Sequence, residues 1–208
     1  MKLAILSESE ADGAALQVLV ESLLGRPTEL IRPARRARGY NQVLQIFESV
    51  YKELHFRSDA EALIVVVDSD DSLLPDAAPH AAEAEAARIA ILKAIVGKFL
   101  PHLSPRPHAP PLRVAMGVAA PAIEAWLLSA TDPRITEAAW IQGARENRPP
   151  YTRVSLKERM YGTRAPSLTL ETQRMVEAAR RVNIANLEDR FPHGFGPLAR
   201  AVRAWETA

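Results

Sequence analysis

Residues 62–67 read Ala-Leu-Ile-Val-Val-Val, an apolar and mostly β-branched run with no polar alternation. A run of this kind suits a strand buried on both faces, which places it centrally in a parallel sheet covered by helices. Parallel neighbours need long crossovers, and the flanking chain supplies them. Lys2–Ser7 reads as a first buried strand, and Ala11–Leu24 has apolar residues at helical spacing and stops at Gly25. Residues 28–32 suggest a short second strand. Tyr40–Leu54 repeats apolar residues at helical spacing, Leu112–Val118 reads as a fourth strand, and an alanine-rich helix is expected over 79–100. The expected fold class is therefore α/β: a small, mainly parallel, four-stranded Rossmann-like sheet flanked by helices.

The 208 residues suffice for one well-buried domain. Five prolines over 101–111 mark a loop. Pro121 is expected as the first residue of a helix carrying Ile123, Glu124, Trp126, Leu127 and Leu128. Beyond residue 131 only helices are expected, at about 136–144, 156–160, 168–182 and 198–205. The organisation read from the chain is thus an α/β core over 1–130 and a helical C-terminal extension over 131–208, packed on the same domain.

Carboxylates cluster just past the expected strand ends. Glu8, Glu10 and Asp12 follow the first strand, Asp68, Asp70 and Asp71 the third, and Glu124 the fourth. Strand C-termini of a parallel sheet share one edge, and that edge is where such folds bind ligands. Several acids on rigid elements suit a hard cation, which takes oxygen ligands, so Mg2+ or Mn2+ is the expected cofactor. Asp68, Asp70, Asp12 and Glu124 are the candidate metal ligands. Asp12 is equally placed to cap the first helix, and Glu124 to favour a helix dipole from its first turn. Glu10 reads as a solvated neighbour and Asp71 as a turn cap.

With no cysteine, thiolate chemistry and disulfides are excluded. No apolar run is long and uncharged enough to span a bilayer, and no leader pattern opens the chain, so a cytoplasmic protein is expected. Net charge is +1, but residues 134–208 hold 13 Lys and Arg against 8 Asp and Glu, whereas residues 1–133 hold 13 against 17. A basic part beside an acidic one suits a polyanionic substrate. Candidate nucleic-acid contacts are Arg35 and Arg36 in the cluster 32–38, and Arg148, Arg153 and Lys157, which interleave with Tyr151 and Tyr161. Ordinary solvated basic surface is the competing reading. The histidines lack zinc-ligand spacing; His193 lies on the one histidine-bearing loop expected to approach a site. No GxxxxGK[ST] or GxGxxG phosphate loop is present.

The order Glu8-Ser9-Glu10-Ala11-Asp12, Asp68-Ser69-Asp70, and Glu124 with Trp126, Leu127 and Leu128 resembles the motifs of the Toprim fold. More narrowly, it resembles Toprim-like bacterial proteins often encoded beside ATPases, relatives of the overcoming-lysogenization-defect nucleases. Ser9 stands where that pattern has glycine, Asp132 is a displaced candidate for a further acid, and Pro192-His193-Gly194-Phe195 replaces a Ser-Phe pair. The resemblance implies metal-dependent cleavage of nucleic acid, with Glu8 as the catalytic carboxylate that joins the coordination or shuttles a proton. It also implies a partner ATPase, in phage defence or repair. The alternative is a non-catalytic Toprim-like interaction module that regulates such an ATPase. A receiver-like phosphoacceptor is disfavoured because no fifth strand with a lysine follows residue 118.

Overall fold

The sheet has four strands, all parallel, in the order β2-β1-β3-β4. They span Lys2–Leu6 (β1), Glu29–Leu30 (β2), Ala62–Asp68 (β3) and Arg113–Ala119 (β4). The computed structural model describes residues 1–70, 87–106 and 109–206. Asp71, residues 79–86 of the expected alanine-rich helix, His80 and His108 lie outside them. Every residue of β3 is buried, as a two-faced central strand requires, and each Leu, Ile or Val there contributes about 1.5–3 kcal/mol by leaving water. Leu6 of β1 pairs with Val65, and Asp68 pairs with Ala119 of β4, so the three longer strands end at one edge.

Helices cover both faces. On one side, Glu10–Leu24 (α1) packs against Leu168–Ala179 (α7) and Phe195–Ala204 (α9), and α9 lies on β4. On the other, Tyr40–Arg57 (α2) and Arg88–Phe99 (α3) pack together, α2 on β3 and α3 on β4. Among the described residues there are also four shorter α-helices, Ile123–Leu128 (α4), Glu137–Arg145 (α5), Arg153–Tyr161 (α6) and Ile184–Arg190 (α8), and a 3-10 turn at Leu100–His102. Trp126 is fully buried and meets Phe195 edge to face at 5.2 Å, tying α4 to α9. Close backbone contact seals the same junction: a Cβ on Gly194 would lie 2.3 Å from the Val118 carbonyl oxygen. No helix of the described residues is long and apolar enough to cross a membrane.

Several expected boundaries move. Pro121 does not start a helix: Ala122 is the extended N-cap, and α4 begins at Ile123. The reason lies in β3, whose outgoing loop donates from Ser69 N to Ala119 O and from Asp70 N to Pro121 O, keeping residues 119–121 outside the helix. The Ala120–Pro121 peptide is cis. Helix α8 was not expected; Asn183 caps it through a side-chain bond to Asn186 N.

Candidate active site

The ends of β1, β3 and β4 meet in a group of carboxylates. Asp68 is the last residue of β3 and is 7 % exposed; its Oδ1 accepts from Ile123 N at 3.1 Å, docking the start of α4 onto the strand end. Glu8 Oε1 accepts from Asp68 N at 2.9 Å, so β1 and β3 are joined through the candidate catalytic carboxylate itself. Asp12 lies on the first turn of α1, whose cap is Ser9: Ser9 Oγ accepts from Asp12 N at 3.1 Å. Ser9 has an extended backbone (φ −144°) open to any residue, so a serine fits where the Toprim pattern has glycine. Glu124, 3 % exposed, stands on the first turn of α4; its Oε1 accepts from Tyr161 Oη at 3.0 Å, while its Oε2 is buried without a hydrogen-bond partner.

Burial and like charge raise the proton affinity of Asp12, Asp68 and Glu8. Burial, then Glu124, push Asp12 up to about 7 against the pull of the Ser9 hydroxyl. Asp68 is likewise raised well above the usual carboxylate range by burial, then by Asp12, Glu124 and Glu8, with Arg153 opposing. Glu8 is raised mainly by burial, although the Asp68 N–H favours its ionised form. Such mutual repulsion at a sheet edge costs stability, which makes these acids the candidate site.

Helix α6 supplies the opposing charges. It is capped at its start by Thr152 and Ser155, which bond reciprocally, and ends on Gly162 in the left-handed conformation (φ 71°). Arg153, Lys157 and Tyr161 follow at four-residue spacing, so one face of the helix turns toward the acids. Arg153 donates from Nη2 to Asp68 Oδ2 at 2.9 Å and from Nη1 to Asp70 Oδ1. Lys157 Nζ lies 4.0 Å from Glu124 Oε1. A second guanidinium arrives from α3: Arg88 donates to Asp68 O (2.6 Å) and Asp70 Oδ2 (2.5 Å), lies 3.7 Å from Glu8 Oε1, and stacks 3.9 Å over the Tyr40 ring. Asp70 has a left-handed backbone (φ 46°), uncommon for a residue with a Cβ and a strain tolerated at functional turns.

Among the described residues, no group of three or more His, Asp or Glu side chains is set as a metal cage. The physical reason is visible at Asp68 and Asp70, whose side-chain oxygens already serve Ile123 N, Arg88 and Arg153. The structure thus brings Glu8, Asp12, Asp68, Asp70 and Glu124 together with Arg153 and Lys157. Arg35 and Arg36 stand apart, on the loop before α2, where Arg35 donates to Ser49 Oγ and Arg36 pairs with Glu10. Arg148 is exposed in the loop before α6, with its backbone N–H on Gly143 O. Asp132 is held by Arg134 and Arg159, whose hydrogen bonds push its carboxyl far below the usual range. The His193 loop is tied to Glu137 Oε2 and β4 through His193 N and Gly194 O. Tyr151 and Tyr161 are buried, with hydroxyls on Thr136 O and Glu124, so neither offers a face for base stacking.

Arg88, Tyr40 and Tyr161 carry the site without having been expected there. For Tyr161 a signal existed, its four-residue spacing from Lys157 and Arg153; Arg88, in an alanine-rich stretch, had none. Comparison with models of known protein families, with curated proteins and with solved structures finds no match in any of the three.

Proposed function

We propose that this chain hydrolyses phosphodiester bonds of nucleic acid with Mg2+ or Mn2+. The observation that carries the reading is a charge imbalance: among the described residues, Glu8, Asp12, Asp68, Asp70 and Glu124 face Arg88, Arg153 and Lys157. The acids outnumber the cations at one sheet edge, an excess that raises the proton affinity of Asp12 and Asp68, beside a buried carboxylate oxygen of Glu124 that has no partner. The donor set is all oxygen, the ligand chemistry that a hard divalent cation takes. Asp68, Asp70, Asp12 and Glu124 would hold it, and its chemistry there would be to polarise a phosphoryl oxygen and acidify water. Glu8, with its proton affinity raised by burial, is suited to take a proton from the attacking water. Arg88 and Arg153 have the fork geometry that binds phosphate oxygens, so an incoming phosphodiester competes with Asp68 and Asp70 for them. Lys157 and Arg148 extend the positive surface for the backbone of the same strand. In this reading the protein is an effector working with a partner ATPase in defence or repair.

The second reading is a non-catalytic module that regulates a partner ATPase. The guanidinium groups on Asp68 and Asp70 favour it, since they already neutralise the two acids a cation would need. Incubation of labelled DNA and RNA with the protein in EDTA, Mg2+ or Mn2+ separates the two. Metal-dependent cleavage by wild type, lost in Glu8→Gln and Asp68→Asn, is expected; no cleavage by wild type under any condition overturns the nuclease reading.

A further inference from the structure

A second concavity lies on the opposite side of β1 from β3, between α1, β2 and the loop leading to α2. Its volume is about 280 Å³, near the lower end of ligand pockets. Ile5, Ala14, Leu30 and Ile31 give it an apolar floor, Arg32, Arg35 and Arg36 stand on the loop side, and Ser9, Glu10 and Gln17 add a polar wall.

The arginine loop is fixed rather than loosely draped. Ala34 N donates to Glu53 Oε1 (2.9 Å), Arg38 N to Gln42 Oε1 (2.6 Å) and Gly39 N to Glu8 O (3.0 Å), while the Ala37 side chain is buried. Holding three guanidinium groups on so short a fixed loop costs mutual repulsion, which an anion in the cavity relieves. The nearby acids relieve only part of it. Glu10 pairs with Arg36 in an exposed bridge, a weak contact, and Glu53 is occupied by the loop backbone. Arg35 gives Ser49 Oγ one of its five N–H donors, leaving capacity for a phosphate.

We propose that this cavity binds a nucleoside monophosphate, with the base on the apolar floor and the phosphate among Arg32, Arg35 and Arg36. An apolar floor with a cationic rim in a space of this size matches a flat heterocycle joined to one dianionic group. The phosphate monoester can come from a free nucleotide or from the terminus of a nucleic acid strand whose next linkage lies toward Glu8, which stands between the lining serines Ser7 and Ser9 in the chain. Binding here does not depend on metal or on cleavage at the acid edge.

The test is titration calorimetry in EDTA with adenosine 5′-monophosphate, adenosine and inorganic phosphate, on wild type, Glu8→Gln, and the double variant Arg32→Ala/Arg35→Ala. The two arginines are exposed, so their removal leaves the fold intact. Wild type and Glu8→Gln are expected to bind the monophosphate alike, the double variant about tenfold or more weaker, and adenosine or phosphate alone each about tenfold weaker than the monophosphate. Competition by a 5′-phosphorylated oligonucleotide but not by its 5′-hydroxyl twin assigns the strand terminus as the source; competition by neither assigns the free nucleotide. Absence of monophosphate binding, equal binding by the double variant, or equal binding of inorganic phosphate overturns the proposal. No cleavage by wild type in any metal, with this binding intact, would count against the nuclease reading alone.

Discussion

The acid edge is built from two unlike halves. The strand ends and α4 contribute Glu8, Asp68 and Glu124 from rigid, buried elements whose positions follow from sheet register. The facing half is α6, a short capped helix whose residues Arg153 and Lys157 are more than a third exposed and reach inward with long side chains. A cation at the first position of a helix opposes the dipole there, so Arg153 stays in place because Asp68 and Asp70 hold it. The sheet half therefore stores repulsion and the helix half relieves it, and the two can be separated by experiment.

The largest effect is expected from Arg153→Ala. It leaves buried Asp68 and half-buried Asp70 without their shared guanidinium. Breaking a buried pair costs about 3–5 kcal/mol; the partial exposure of Arg153 lowers the expectation to about 2–4 kcal/mol. Urea unfolding in EDTA measures it. Addition of Mg2+ should recover more stability in the variant than in wild type, because the cation then meets acids with no competing guanidinium; equal gains in the two proteins would show that the halves do not compete.

Next comes the pH dependence. The Asp12 carboxyl is raised to about 7 by burial and then by Glu124, against about 3.9 in an unfolded chain. Below the unfolded value both states are protonated and Asp12 has no effect. Between the two values the folded state binds more protons than the unfolded, so stability falls as pH rises through that window, and the penalty is complete above about 7. The raised Asp68 and Glu8 act with the same sign. Thermal melting in EDTA should therefore show Tm falling from about pH 4 to about pH 7, and Asp12→Asn should melt roughly 2–4 °C higher than wild type for each kcal/mol removed, at about pH 8 but not at pH 4. Saturating Mg2+ should flatten the wild-type slope; an unchanged slope would place the cation elsewhere.

The two halves also differ in how far the chain itself reveals them. Ala62–Val67 announces a central strand because an uninterrupted apolar run has few other uses, and once β1 and β4 run parallel to it the edge location of Glu8, Asp68 and Glu124 follows. The all-parallel order was less visible, since β2 is only a two-residue contact that depends on pairing with β1. Arg153 and Lys157 stood out as basic residues suited to a nucleic-acid backbone, but that they meet Asp68, Asp70 and Glu124 depends on how α6 docks, which no local pattern encodes. Arg88 was wholly hidden: its place is fixed by closure of α3 over β4 and by the Tyr40 ring beneath it. Pro121 misled for a related reason, because its carbonyl serves Asp70 N across the sheet edge, a long-range bond that outweighs proline's fitness for a helix start.

The smallest expected effect is the sharpest probe of how the halves are joined. Tyr161 Oη donates to Glu124 Oε1 at the far end of α6 from Arg153, and its own ionisation is suppressed by burial and by the Glu124 charge. Tyr161→Phe keeps the ring and removes one hydrogen bond, a change worth about 1–2 kcal/mol where the acceptor is buried. Glu124 Oε2 already lacks a partner, so the variant leaves Lys157, at 4.0 Å, as the nearest positive charge to this carboxylate. If Glu124 works in the edge as a cation ligand, the loss should be smaller in Mg2+ than in EDTA, since the carboxylate then has the ion to satisfy it. A loss of the same size in both conditions would assign the Tyr161–Glu124 bond to anchoring α6 on α4 and remove Glu124 from the ligand set.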